Sequence, residues 1–128
     1  MRTLTVGLVA LAAFMTAGCG QEVTVTGSGG KEMTTHAPET VVLHRGRSEF
    51  VKIAVEREGF RGPVTVMLSQ LPEGVSVDGS SRTIETDMAT FKLTAGQDAE
   101  LIGGHQVRVT ATAEDMRSDM HFSLDIEE

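Results

Sequence analysis

Tryptophan and tyrosine are absent from this chain, and five phenylalanines are its whole aromatic complement. Modules that bind sugars or nucleobases present flat aromatic platforms, and stacking supplies much of single-strand affinity. With so few rings, carbohydrate and single-strand binding are poor fits. A single cysteine, Cys19, leaves nothing for it to pair with in an intrachain disulfide. Basic residues are scarce too: 11 Lys and Arg stand against 18 Asp and Glu, a net charge of −7. An acidic surface repels phosphate backbones, which argues against nucleic acid, and it disfavours electrostatic docking on anionic lipid. Catalytic signatures are missing as well. There is no Gly-x-Ser-x-Gly elbow and no Walker-type or dinucleotide fingerprint. Ser69, Ser76, Ser80, Ser81, Ser118 and Ser123 fall in expected strands or turns without an evident base. The expectation is a non-enzymatic protein with no cofactor and no small-molecule substrate.

What is present begins at the first residue. Arg2 precedes a mostly apolar run, Leu4 to Met15, followed by Thr16-Ala17-Gly18-Cys19-Gly20. One positive charge, a short apolar core and small residues form the layout of a secretory signal peptide, and the run is short for a bilayer span. One reading is an ordinary signal peptide with Cys19 near the cut. The other follows from a resemblance. Thr16-Ala17-Gly18-Cys19 resembles a bacterial lipobox, with Thr16 where families usually show leucine. The resemblance implies cleavage between Gly18 and Cys19, a diacylglycerol on the Cys19 thiol and often an acylated amino group. One acyl chain holds a protein only marginally, whereas two or three anchor it stably. The resemblance also implies the bacterial envelope, with Gly20 after the cysteine favouring the outer membrane or a periplasm-facing site. The membrane is then a partner through lipid on Cys19, and a protein partner in the envelope is expected.

Beyond Cys19 lie 109 of the 128 residues, one domain's worth. Cleavage removes Arg2 and no acid, so the mature charge is −8. Residues 19–39 read as a lipidated flexible tether. They contain Gly27-Ser28-Gly29-Gly30 and a polar stretch to Pro38, and such a chain reaches roughly 25 Å as a random coil. Gln21 to Thr26 alternates weakly and is at best a short strand.

From Thr40 the apolar period is two. Val51, Ile53 and Val55 share a face, as do Val64, Val66 and Leu68; Phe91 and Leu93; Val107, Val109, Ala111 and Ala113; and Phe122, Leu124 and Ile126. Alternation with polar partners marks strands with one buried and one wet face. Leu71-Pro72-Glu73-Gly74 and Asp78-Gly79-Ser80-Ser81 carry turn chemistry between them. The spacing predicts seven or eight strands, near 40–45, 49–57, 63–70, 74–78, 82–87, 89–95, 105–114 and 120–127. The shortest, 40–45 and 74–78, are expected at sheet edges. The longest loop is expected over Gly96–Gly104, and Asp115–Asp119 should link the last two strands. The fold class is all-β: a single antiparallel sandwich over 40–128.

The run Phe60-Arg61-Gly62-Pro63-Val64, then Leu71-Pro72-Glu73-Gly74-Val75, Phe91-Lys92-Leu93-Thr94-Ala95 and Val107-Arg108-Val109-Thr110-Ala111 resembles bacterial immunoglobulin-like modules of exported proteins. These share the sandwich of fibronectin type III domains. The resemblance implies spacing, adhesion or assembly roles, without specifying a ligand. Paired cysteines, a core Trp and a Tyr corner are lacking, so antibody-type relatives do not follow.

Two metal readings remain to be placed. Met116-Arg117-Ser118-Asp119-Met120-His121 offers soft ligands for periplasmic Cu(I), with His44 as a further candidate if the first and last strands are neighbours. Against this, lone surface histidines and gap-filling thioethers are the commoner occurrence. Loop carboxylates, chiefly Asp98 and Glu100, lack the Asp-x-Asp-x-Asp series of a calcium loop. They are instead the leading candidate for a binding loop, the alternative being a plain crossover with Leu101 and Ile102 plugging the sandwich end.

Overall fold

A computed structural model describes residues 20–128. The ten strands among them are β1 (Gln21–Thr26), β2 (Glu32–Ala37), β3 (Thr40–His44), β4 (Ser48–Glu58), β5 (Val64–Ser69), β6 (Val75–Val77), β7 (Ser81–Ile84), β8 (Met88–Ala95), β9 (Ile102–Ala113) and β10 (Met116–Glu127). They form two five-stranded sheets. One runs β3-β10-β9-β5-β7 and the other β1-β2-β4-β8-β6. Only the β3–β10 pair is parallel. No helix among the described residues is long and apolar enough to cross a membrane.

The period-two alternation explains the packing. Every apolar set predicted to share a face turns inward: Val51, Ile53 and Val55 on β4, Phe91 and Leu93 on β8, Val107, Val109 and Ala111 on β9, and Phe122, Leu124 and Ile126 on β10 are buried. Burying one such side chain stabilises by about 1.5–3 kcal/mol. Two polar groups enter this core and satisfy each other across the sheets: the Ser118 hydroxyl of β10 donates to the Thr35 hydroxyl of β2 at 3.3 Å. The strands at 40–44 and 75–77 lie at sheet edges, as their shortness predicts.

The stretch expected to be a tether is folded from Gln21 onward. It forms the β1–β2 hairpin, and β2 adds to β4 from Glu32↔Glu58 to His36↔Ala54. Gly27-Ser28-Gly29-Gly30 is its turn, not a linker: Gly29 and Gly30 take left-handed φ values of 73° and 79°. Met33 on β2 is fully buried. The inward face Met33-Thr35-Ala37 carries one large apolar residue among small and polar ones, so its alternation is faint in sequence. The domain therefore includes 20–39 as well as 40–128. The lipobox, Gly18 and Cys19 lie outside the described residues.

Two connections are shorter than expected. β9 begins at Ile102, with an irregular register between Ile102 and His105, so the loop spans only 96–101. The β9–β10 link is the Glu114-Asp115 turn alone, and residues 116–119 are strand. Glu114 is left-handed there, φ 52°, a conformation that costs a non-glycine residue about 1 kcal/mol.

Candidate functional site

β10 places the proposed copper ligands on opposite faces. Met116 and Met120 point into the core and are buried, whereas His121 is exposed on the outer face. Residues of odd separation on a strand point opposite ways, so Met120 and His121 do not converge. β3 does neighbour β10, as the His44 idea requires. The register pairs His44 with Glu127, however, six residues from His121, or roughly 20 Å along the strand. The His44 Nδ1 instead meets the Glu128 carbonyl at 2.9 Å. The Met/His copper site is thus not assembled.

The other histidines are also occupied. His105 meets the Gln70 carbonyl at 2.7 Å. His36 lies between two carboxylates on the outer face of β1, β2 and β4: its Nε2 is 2.7 Å from Glu56 and its Nδ1 3.5 Å from Glu22. Different nitrogens face the two acids, so the three groups do not close on one point. Among the described residues no group of three His, Cys, Asp or Glu is arranged to hold a metal ion.

Asp98 and Glu100 are exposed, with buried Ala99 between them. Ala99, not Leu101, plugs this end of the sandwich. Leu101 is 44% exposed, and Ile102 is half-buried against the core. Gly74 makes the plug possible: its φ is 89°, and a Cβ there would stand 2.9 Å from the Ala99 Cα. The Arg45 guanidinium locks the loop by donating to the Ala99 carbonyl at 2.7 Å. This loop is a pinned crossover that displays two carboxylates.

The opposite end holds a groove of about 720 Å³ lined by Arg57, Gly59, Phe60, Arg61, Glu85 and Asp87. Arg57 looks in sequence like one more outward strand charge. In the fold it donates to three carbonyls, Gly62 at 2.9 Å, Thr86 at 2.8 Å and Ile84 at 3.0 Å, with Asp87 3.7 Å away. Its donors are used in tying the β4–β5 and β7–β8 connections together. What remains for a ligand is exposed Arg61 beside Glu85 and Asp87, a mixed-charge rim with no convergent set of polar groups.

At the same end Asp115 accepts the Ser28 amide at 2.9 Å and pairs with Lys31 at 3.1 Å. The Ser28 amide and then the Lys31 ammonium hold the Asp115 carboxyl well below the usual carboxylate range. On β10, Asp119 is lowered by the Thr110 hydroxyl and by Arg117. Both are structural ties between turns or neighbouring strands. Compared with known proteins, the chain matches no family model and no curated sequence.

Proposed function

We propose that this chain is a lipid-anchored bacterial envelope protein whose β-sandwich has a non-enzymatic binding, scaffolding or structural role. The observation that carries the reading is the segment Met1–Cys19, a signal-peptide layout ending at the sole cysteine. Lipid on Cys19 makes the membrane its partner and puts the domain in the envelope, at the outer membrane or facing the periplasm. The strand connectivity supports an immunoglobulin-like, fibronectin type III-like module. A β2-β4-β8 sheet faces a β7-β5-β9-β10 sheet, and β3 adds in parallel to the last strand. Such modules serve as spacers and recognition scaffolds, with contacts carried by loops, faces and edges. The copper alternative loses its support with Met116 and Met120 turned into the core.

The test is the intact mass of the protein purified from bacterial membranes. The expected species starts at Cys19 and carries a diacylglycerol, with or without an amide-linked acyl chain. Cys19→Ser should retain residues 1–19 uncleaved and take up no labelled fatty acid. A soluble, unmodified mature protein would overturn the reading.

A further inference from the structure

We propose that the flank of the sandwich formed by Gly20, the Pro38–Glu39 crossover, the β3 edge and the lower half of β4 is the surface that lies on the lipid headgroups. The inference rests on the anchor reading above and adds an orientation to it.

The first argument is where the anchor leaves the fold. With 21–37 folded, the only residue between the lipid and the sandwich is Gly20, and Gly20 sits against the Ala37 carbonyl. Adjacent Cα atoms are about 3.8 Å apart, so an acyl group on residue 19 is tethered one residue from this flank. The roughly 25 Å reach of a flexible tether is not available to lift the domain clear.

The second argument is that this flank is where the sandwich is left open. β2 pairs with β4 only down to Ala54, because at Pro38–Glu39 the chain crosses to the other sheet to become β3. The lower half of β4 therefore has β8 on one side and no strand on the other. Alternation decides which backbone groups are exposed by this. The Val55 amide and the Arg47 carbonyl bond to the β8 side, and the β4–β8 register has no shift between Ser48 and Ala54. Odd-numbered residues thus bond to β8, and the amides and carbonyls of Phe50 and Lys52 point to the open flank.

The third argument is an exposed ring beside the open edge. Phe50 is 64% exposed, the most of any large apolar residue among the described ones, and it projects from the outer face of β4. Extending the register places Gly20 two strand lanes from β4 at the level of Lys52, about 12 Å from Phe50. A bilayer reached by the Cys19 lipid is then within reach of Phe50. The free amides set the depth. At headgroup level they bond to water or phosphate oxygens, whereas in hydrocarbon they would go unmet. The contact is a shallow one, made by Phe50 and not by Val42, which projects from the outer face of the other sheet.

The absence of tryptophan supplies the test. Phe50→Trp beside this flank, and Met67→Trp on the outer face of β5 in the other sheet, each create a unique fluorophore. The mature lipoprotein is reconstituted in phosphatidylcholine vesicles carrying a headgroup nitroxide, and a far-UV spectrum verifies the fold of each variant. Phosphatidylcholine avoids setting a like-charged surface against an acidic protein. Phe50→Trp should be quenched several-fold more than Met67→Trp, with emission shifted to the blue on vesicle binding. Equal quenching in a protein whose mass shows the acyl groups overturns the orientation and leaves the anchor reading standing. A protein without acyl mass overturns both.

Discussion

The two flanks of this sandwich are closed by different means. On the β6–β7 flank side chains close the gap, Val77 and Ile84 packing against the core and one arginine tying the connections. Arg82 donates to the Asp78 carbonyl at 2.7 Å and the Thr90 carbonyl at 3.3 Å, and its guanidinium lies 5.8 Å from the Phe91 ring centroid. On the β1–β3 flank the main chain itself closes the gap. β2 crosses between sheets, and β1 covers the upper part of β10 with Val23 and Val25 packed against the core. There the Gln21 amide donates to the carbonyls of Pro38 and His121. Removing the Arg82 guanidinium costs the β6–β7 flank a few hydrogen bonds and a ring contact. A flank held by a crossing segment carries buried apolar surface, and it leaves an open half-strand where the segment departs.

The largest expected effect comes from deleting the crossing segment. A 40–128 fragment loses Met33, Ala37, Val23 and Val25 from the core and orphans Ser118. It should lose on the order of 5 kcal/mol, a large share of the stability of a domain this size. Urea denaturation monitored by far-UV circular dichroism should show no cooperative baseline at 25 °C. A fragment as stable as 20–128 would mean that the flank closes without β1 and β2.

Point substitutions compare the flanks at finer scale. Met33→Ala leaves a cavity in a fully buried site and should cost about 2–5 kcal/mol. Val77→Ala, half-buried at the far edge on β6, should cost about 1 kcal/mol. Equal denaturation midpoints for the two variants would contradict the difference drawn between the flanks.

Arg82→Ala should cost about 1–2 kcal/mol for two carbonyl hydrogen bonds and a ring contact. Arg82→Lys should recover only part, since an ammonium cannot reach two separate carbonyls as a planar fork does. Amide exchange should quicken in β6 and β7 while β1 and β2 stay protected. Uniform acceleration across both flanks would show that Arg82 does not act locally.

The smallest effect is in acid. The Asp115 pKa is depressed in the folded state, so its contribution is present above the unfolded carboxylate value. It is lost as pH falls below about 4 toward the folded value. The tie between the β1–β2 turn and the β9–β10 turn should loosen over that window. Asp115→Asn should flatten the fall in thermal midpoint between pH 4 and pH 2 while changing little at pH 7. An unchanged acid slope would remove Asp115 as a tie.

Much of the fold was legible because strand alternation is a local signal. Eight strands from 40 onward, their inward faces and two edges follow from residues such as Val51, Ile53 and Val55. β1 and β2 were hard to read because the glycine-rich turn has a linker's composition and the inward Thr35 is polar. The roles of Arg57, Arg82 and Arg45 were not legible at all. Each reaches carbonyls on connections remote in sequence, and nothing local distinguishes such an arginine from a solvated one. Met116 and Met120 looked like ligands beside His121, and only the phase of β10 separates them.

By itself, the amino-acid sequence determined that this protein is all-β, acidic and free of internal disulfides. It also determined that one thiol stands at the end of a signal-like segment. Each of these properties is written in single residues or in neighbours two apart. The tertiary structure decided which flank stays open beneath Gly20, and that the expected metal ligands never meet. Those outcomes depend on the point at which β2 leaves its sheet for the other. That crossover is set by the packing of Met33 and Ala37 against strands far along the chain, which no local pattern encodes.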